Sequence, residues 1–237
     1  MGRGRGKRGR GRGRARTEEK FDISLWQPRT SVGKAVKEGR ITSISEILRK
    51  GQSPREPGIV DALVPNLEED ILGISMVQRM HKSGRRTKFR VIAVVGNRNG
   101  IVGVAHASAR EVGPSIRKTV TAAKLSVVEV ARGCGSWECR CGRPHSIPFE
   151  VTGHSSSVYV ALKPAPRGLG LAVAEVPKLI LRLAGIEDIW AQSRGQTRTT
   201  LNFALATFDA LKQTTRVALR ESQKKSVTIG KAVEAIG

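Results

Sequence analysis

The sequence predicts an α+β protein built from two small domains, and three features of the chain support this. Two apolar, strand-like stretches between Phe89 and Ala107 flank the turn GNRNG, a pattern typical of a β-hairpin. After Gly113 and Pro114 the apolar spacing changes from two residues to about 3.6, the period of a helix. A second region of strand and helix patterns follows a glycine-rich segment, and 237 residues are enough for two small cores.

The charge of the chain indicates a polyanionic partner. The net charge is +22 and the pI is near 11.1, an excess that no fold requires and that reflects partners and solubility instead. No apolar run approaches the roughly 20 residues of a bilayer-spanning helix, and the amino terminus has no signal-like hydrophobic segment. We therefore expect a soluble, intracellular protein that does not enter a membrane.

Residues 1–20 form a predicted disordered Gly/Arg-rich tail. Glycine alternates with arginine from Gly2 to Arg16, which contain seven Arg and one Lys. Such a segment has no apolar residues to form a core, so it is expected to order only along the phosphates of RNA. A solubilising tail or an unspecific nucleic-acid clamp is the alternative. Removing its eight positive charges from the net +22 still leaves +14, so the tail does not account for the whole charge.

Residues 21–65 are predicted to be an extension of short helices. Ser43-Ile44-Ser45-Glu46 fits a capping box, in which side chains at both ends of the first turn satisfy free backbone donors. Ile44, Ile47 and Leu48 then share one face, and Gly51 ends the helix. Trp26 is interpreted as an anchor packed on the next domain, because an isolated tryptophan more often packs than stacks on a base.

Residues 66–132 are predicted to form the first domain, with three strands and one helix. The strand Ile71–His81 is joined by the loop Lys82–Arg86 to the hairpin. Because successive strand residues alternate faces, Lys88 and Arg90 should point away from Phe89 and Val91. The apolar face of the helix is expected to cover the sheet, and it is formed by Ile116, Val120, Ala123 and Val127.

The first domain carries a dense set of cations with almost no acidic complement. Uncompensated positive charges repel one another in water, whereas against phosphates they displace counterions and bind. A solvated basic face is the alternative. In A-form RNA the grooves expose phosphates, 2'-hydroxyls and the shape of the helix to side chains more than they expose the identity of the bases. We therefore expect binding that is specific for RNA structure. The candidate RNA-binding residues of this domain are Lys82, Arg85, Arg86, Lys88, Arg90, Arg98, Arg117, Lys118 and Lys124.

Residues 133–147 are predicted to be a glycine-rich linker with a candidate zinc site. All three cysteines of the chain lie here, in the pattern Cys134-x4-Cys139-x-Cys141-x3-His145, which is too crowded for a disulfide framework. Three thiolates and an imidazole are the ligands of a closed structural zinc site. The one-residue gap between Cys139 and Cys141 is unusual, however, so free thiols with an RNA-facing His145 remain the alternative.

Residues 148–212 are predicted to form the second domain, and residues 213–237 a basic tail. Alternating strands, Phe149–Thr152 and Val158–Leu162, flank the turn His154–Ser157. The apolar face of Val176–Leu183 indicates a helix ended by Gly185, followed by the strand Ile186–Ala191. The basic loop Gln192–Arg198 offers Arg194 and Arg198 to RNA or a neighbouring protein, and a helix begins at Thr199. Gly168-Leu169-Gly170 lacks the remaining residues of a nucleotide-binding motif, so no nucleotide site is expected.

No arrangement of residues in the sequence is typical of an active site. The four histidines are scattered, and no Ser or Cys pairs with a carboxylate in a recognisable triad order. Cys134 acting as a nucleophile with His145 is the remaining enzymatic alternative, and it has no evident group to orient the base. We therefore expect a non-enzymatic protein that needs no cofactor for catalysis.

Three separate motifs resemble one known family. The stretch Arg85–Leu125, PAPRGLG at Pro164–Gly170 and AGIEDIW at Ala184–Trp190 are together similar to the universal fifth protein of the small ribosomal subunit, archaeal type. The resemblance covers residues 66–212 in collinear order. It implies a first domain with a β-sheet and one helix, like a double-stranded-RNA-binding domain, and a second domain of split βαβ type. It also places the loop with Arg167 near RNA, which makes Arg167 a candidate phosphate ligand.

The resemblance further implies a function. Members of the family organise small-subunit rRNA near the junction of body and head, contact the third and fourth small-subunit proteins by the messenger entry channel, and contribute to translational accuracy. A protein of this kind is cytoplasmic and part of the ribosome. The alternative is a free-standing double-stranded-RNA-binding regulator or RNA chaperone. The family does not decide the zinc question, because eukaryotic members share the Pro-His step of the linker but lack its cysteines.

Overall fold

The first half of the protein is a four-stranded antiparallel sheet with a helix on one face. The computed structural model describes residues 26–64, 66–139, 141–217 and 227–229, so the predicted Gly/Arg tail of residues 1–20 lies outside the described residues. The strands are β1 (Glu68–His81), β2 (Gly84–Gly96), β3 (Ile101–Ala109) and β4 (Val128–Glu129), in that order across the sheet. The helix α4 (Val112–Leu125) follows β3, which confirms the predicted hairpin and helix.

Two of the three short helices of the extension pack on this sheet and on α4, and the first helix packs on the third. They are α1 (Ser31–Lys37), α2 (Ile44–Arg49) and α3 (Pro57–Leu63). Ile44 and Val60 join a buried cluster with Ala93, Val120 and Ala123, so the extension and α4 share one core. The predicted capping box is only partly formed, since Ser43 Oγ donates to Glu46 Oε1 at 3.1 Å without capping the backbone.

Trp26 packs as an anchor, but its partner lies within the extension itself, so the predicted packing on the next domain is wrong. A Cβ atom on Gly58 of α3 would come within 2.7 Å of Trp26 Nε1, so glycine is needed for this close packing. The Trp26 carbonyl also accepts a hydrogen bond from Lys37 Nζ of α1 at 2.7 Å. Trp26 therefore contacts the third helix through its indole and the first helix through its backbone carbonyl.

The second half is another four-stranded sheet, with helices α5 (Glu175–Ala184) and α6 (Thr200–Gln213). Its strands are β6 (Val151–Ser155), β7 (Val158–Pro164), β8 (Leu171–Ala172) and β9 (Ile189–Arg194), in the order β6-β7-β9-β8. Only β8 and β9 are parallel, and α5 connects them. The predicted βαβ unit is thus present, but its parallel strands are neighbours and no strand separates them, which differs from a split unit.

The two sheets are joined by one hydrophobic core and by backbone hydrogen bonds between the β2–β3 turn and the end of α5. Val91–Val95 of β2 are at most 4% exposed, because Ala93 and Val95 face α4 whereas Ile92 and Val94 face the second half. The turn between β2 and β3 also docks on the end of α5. Arg98 N donates to Leu183 O at 2.9 Å, and Gly100 N donates to Ala184 O at 3.0 Å.

Two local predictions were wrong for reasons visible in the hydrogen bonds. The predicted loop Lys82–Arg86 is only a two-residue turn, because Arg85 and Arg86 pair with Met80 and Arg79 in the β1–β2 ladder. The predicted strand Ile186–Ala191 begins three residues later, at Ile189. The residues before Ile189 form hydrogen bonds with the linker instead of the sheet. Glu187 N and Asp188 N both donate to His145 O, at 2.9 and 3.1 Å.

Part of the carboxy-terminal tail forms a strand that pairs with the strand at the start of the linker. Strand β5 (Ala131–Gly133) pairs with β10 (Val227–Ile229), so the tail predicted for residues 213–237 contributes a strand. Residues 218–226 and 230–237 lie outside the described residues. Among the described helices, none is both long and apolar enough to span a bilayer.

Candidate nucleic-acid interface and metal centre

The β1–β2 hairpin extends beyond the core as an exposed arm, defined here as residues 73–90. Strand alternation places Arg86, Lys88 and Arg90 on one face, where Arg79 of β1 pairs with Arg86. Lys82 lies in the turn, and Arg85 lies on the opposite face beside Met80. Within the described part of the chain, no carboxylate forms an ion pair with these cations. The arm therefore presents uncompensated positive charge.

The predicted cations outside the arm lie in different surroundings. Arg117 and Lys118 are exposed on α4, and Arg98 forms an ion pair with Glu68 at 2.7 Å. Lys124 contacts Asp61 at 2.7 Å and Glu69 at 3.3 Å, and only 16% of its side chain is exposed. This geometry favours a structural role for Lys124, which ties α3 and β1 to α4, over the predicted RNA contact.

A cleft between the two halves collects arginines from distant parts of the chain. Its volume is about 780 Å³. Glu187 is the one carboxylate among the described residues that line it, and the guanidinium groups around it come from the β2–β3 turn, β5, the linker, the loop before β8, and α5. The arginines that line this arginine cleft are Arg98, Arg132, Arg143, Arg167 and Arg182.

Arg132 forms the floor of the arginine cleft. It is 7% exposed, and its Nε has no hydrogen-bond partner among the residues that the structure describes. Its terminal nitrogens donate to Gly185 O at 3.3 Å, Arg98 O at 3.5 Å and the Asn99 side-chain oxygen. Burial lowers the pKa of the guanidinium, and the charge of Glu187 partly opposes this shift. A buried cation that is only partly compensated is costly, so an anion from outside the chain would be stabilised here.

The remaining predicted cations of the second half lie apart from one another. Arg167 is exposed in the loop before β8 and lines the cleft. Arg194 ends β9 and Arg198 lies in the loop before α6, and neither lines the cleft. Both are accessible to a partner on a separate surface, because Arg194 and Arg198 are exposed.

The structure brings the four candidate metal ligands of the linker together. The ligand atoms of Cys134, Cys139, Cys141 and His145 all lie within 4.8 Å of one another, and the cysteines are free thiols. Cys139 Sγ is 3.9 Å from His145 Nε2. His145 lines the arginine cleft but is only 4% exposed, so little of its ring is accessible to RNA.

The thiols of this cluster differ in acidity. Backbone N–H groups of Arg167 and Cys141, together with the neighbouring thiols, lower the pKa of Cys139 to about 6. Burial raises the pKa of Cys134, whose thiol donates to the Cys139 carbonyl oxygen at 2.6 Å. A thiol with a pKa near 6 is mostly thiolate at neutral pH, the form that binds metals.

Asp188 connects the linker to the loop before β8. Its Oδ2 lies 2.9 Å from His145 Nδ1, and its Oδ1 accepts from Gly168 N at 3.0 Å and Gly170 N at 2.8 Å. The carboxylate is 4% exposed. Because a carboxylate can only accept, the proton of the imidazole resides on Nδ1, and Nε2 faces the thiols with a free lone pair.

Sequence reasoning missed several residues of these surfaces. Arg132, Arg143 and Arg182 line the cleft, but each is isolated in the chain and only the fold assembles them. Asp188 lies within the motif AGIEDIW, so the motif was a usable signal although its partners were not evident. Trp137, next to the cysteines, is 85% exposed and was also overlooked.

Comparison with known proteins places the chain in one family. The family models "Ribosomal protein S5, N-terminal domain" and "Ribosomal protein S5, C-terminal domain" match residues 67–131 and 153–225. The "Small ribosomal subunit protein uS5" of Methanothermobacter thermautotrophicus is 54% identical over 209 residues, which are 88% of this chain and 97% of that protein. The proteins of the same name from Methanobrevibacter smithii and Methanocaldococcus jannaschii are 55% and 52% identical, over 88% and 89% of this chain and 98% and 97% of their own. The chain therefore belongs to the ribosomal protein S5 family, and it is a structural protein rather than an enzyme.

Proposed function

We propose that the protein is a structural constituent of the cytoplasmic small ribosomal subunit that binds and organises its rRNA. It acts as a clamp, in which many weak phosphate contacts on a rigid body hold separate RNA segments in register. In this proposal the first domain, residues 66–132, binds RNA in the manner of a double-stranded-RNA-binding domain. The Gly/Arg-rich tail of residues 1–20 binds phosphates along the RNA, and residues 21–65, 133–147, 148–212 and 213–237 form the extension, linker, second domain and basic tail.

The arginine cleft is the observation that carries this proposal. Arginine guanidinium groups suit phosphate because their planar N–H donors match its oxygens. In the cleft, exposed Arg143, Arg167 and Arg182 surround buried Arg132, which forms no ion pair with a carboxylate of the described residues and is only partly compensated by the charge of Glu187. A phosphate of the RNA backbone would supply the missing anion. Because the cleft lies between the two halves, one RNA segment bound there contacts both.

The arm is the second contact in the proposal. It projects beyond the core with cations on both faces, so it can lie against RNA whose phosphates approach from two sides. The resemblance of the chain to the family supports a position of the arm near the body–head junction and the messenger entry channel of the small subunit. The third and fourth small-subunit proteins are then its neighbours, and the arm influences translational accuracy.

Sedimentation distinguishes the ribosomal role from that of a free-standing RNA-binding regulator. We expect the protein to migrate with small subunits through a gradient of a cell lysate at moderate salt, since many phosphate contacts act together. Recovery in the free fractions, with no small-subunit peak, would favour the regulator.

The arm and the cleft can be tested separately by the salt dependence of RNA binding. Two triple alanine variants, at Arg85, Arg86 and Lys88 or at Arg143, Arg167 and Arg182, should each weaken binding to small-subunit rRNA. Each should also reduce the slope of log affinity against log salt by about 2–3, because each lost phosphate contact removes roughly 0.7–0.9. Filter binding at several salt concentrations gives both quantities.

The matched control removes the same charge elsewhere. Lys34, Arg49 and Lys50 are exposed on the extension and outside both surfaces, so their alanine variant should retain most of the slope. Equal slopes for all three variants would mean that net charge alone determines binding and that neither surface is a specific contact.

A further inference from the structure

The spacing of the four ligand atoms in the linker is close to that of a zinc tetrahedron. With Zn–S distances of about 2.3 Å and Zn–N distances of about 2.0–2.1 Å, tetrahedral ligand atoms lie about 3.5–3.8 Å apart. The atoms of Cys134, Cys139, Cys141 and His145 are all within 4.8 Å of one another, and Cys139 Sγ to His145 Nε2 is 3.9 Å. Small side-chain rotations therefore suffice to close the set around an ion.

Backbone contacts at the base of the linker bring the four ligands together. Gly133 N donates to Ser146 O at 2.8 Å and Ser146 N donates to Gly133 O at 2.9 Å, which closes residues 134–145 into a loop. The chain also passes very close to itself at the base, since a Cβ on Gly135 would be 2.2 Å from Pro148 O. The unusual one-residue gap between Cys139 and Cys141 is thus accommodated by the loop as a whole.

The histidine of the cluster is prepared for metal binding by its carboxylate partner. Asp188 fixes the ring through Nδ1 at 2.9 Å and leaves Nε2 directed at the thiols. Carboxylate–histidine pairs of this kind orient metal-binding imidazoles and raise their basicity. Asp188 is itself held by two backbone N–H groups, of Gly168 and Gly170, so the ring is anchored to the second half of the protein.

We propose that Cys134, Cys139, Cys141 and His145 form a closed structural zinc site that fastens the linker to the second half of the protein. Three thiolates and one imidazole fill a tetrahedral shell, so no position remains for a reacting ligand. This mixture of sulfur and nitrogen donors selects zinc over magnesium or calcium. The site stands independently of the RNA contacts, because its ligands and its tests involve no nucleic acid.

The metal content of the purified protein tests the site directly. The full chain, produced without a polyhistidine tag and in the presence of reductant, should contain about one zinc per chain by elemental analysis, as a four-ligand site predicts. Replacement by cobalt should give the visible absorption of a tetrahedral ion and a thiolate-to-cobalt charge-transfer band. Zinc far below stoichiometry, with three freely titratable thiols or with a disulfide between two of them, would overturn the proposal.

Variants separate ligand loss from misfolding. Cys139→Ser should lose most of the zinc, whereas Trp137→Ala, in the same loop but 85% exposed, should keep it. Asp188→Asn should keep the tetrahedral cobalt spectrum but weaken zinc affinity by about 10–100-fold in competition with a chelator, as expected for the partner of a ligating histidine. Unchanged zinc content in Cys139→Ser, or loss of zinc in Trp137→Ala, would contradict the assigned ligands.

Discussion

Gly185→Ala is expected to lower the free energy of unfolding by about 3–5 kcal/mol. Gly185 has φ +79°, and a Cβ there would lie 2.0 Å from Arg98 O in the docked β2–β3 turn. The strained backbone costs about 1–3 kcal/mol, and the overlap with a backbone atom costs a further 1–3 kcal/mol. Chemical denaturation of the full chain, followed by circular dichroism, measures the change.

Gly39 provides the matched control for this substitution. It has a similar φ of +74°, but a Cβ there would meet nothing within 4 Å. Gly39→Ala should therefore show only the backbone cost, of about 1–2 kcal/mol. If both variants lose the same stability, the turn is not tightly docked on α5, and the arginine cleft is not rigidly formed.

Asp188→Ala is expected to destabilise the metal-free protein by about 3–5 kcal/mol. The side chain accepts from Gly168 N and Gly170 N and pairs with His145 Nδ1. Removing it leaves the Nδ1 donor of buried His145 without an acceptor, which costs about 1–3 kcal/mol, and breaks two partly buried hydrogen bonds worth about 0.5–1.5 kcal/mol each. Denaturation in the presence of chelator and reductant isolates this contribution from that of a bound metal.

Asp209→Ala is the control for the loss of a carboxylate. Asp209 makes only long contacts, at 3.4 Å to His154 N and 3.4 Å to Gln213 Nε2, so its removal should cost about 0.5 kcal/mol or less. If both variants lost a comparable free energy of unfolding, the hydrogen bonds of Asp188 to His145, Gly168 and Gly170 would contribute no more to stability than the long contacts of Asp209. Asp188→Asn should fall between them, because one acceptor oxygen remains.

These two residues explain why the family motifs occur together. Gly185 and Asp188 both lie in AGIEDIW; the first receives the GNRNG turn of the first half, and the second holds the PAPRGLG loop through Gly168 and Gly170. The motifs are 60 or more residues apart in places, but in the fold they meet beside the arginine cleft and the cysteine cluster. The most recognisable parts of the sequence are thus contacts that hold the two halves together.

Local pattern was sufficient to predict the elements themselves. The helix α4 was predicted from the spacing of Val120 and Ala123, which are indeed buried, and the end of α5 from Gly185, which is left-handed. Both follow from interactions within a few residues of the chain, where the periods of strand and helix act directly. The predicted boundaries of an element were wrong where a residue distant in the chain formed hydrogen bonds with its end. The strand predicted from Ile186 begins at Ile189, because the backbone N–H groups of Glu187 and Asp188 donate to the carbonyl of His145.

The sequence by itself determined the α+β class, the basic character, the family and the ligand types of the linker. Only the tertiary structure decided that Arg132 is buried in a cleft of arginines, that Lys124 is neutralised by Asp61, and that His145 faces inward to a carboxylate 43 residues away. The physical reason is that the periodicity of the sequence shows which face of a helix or strand is apolar, but it does not show which other helix or sheet covers that face. Charges and donors acquire their partners only when that choice is made.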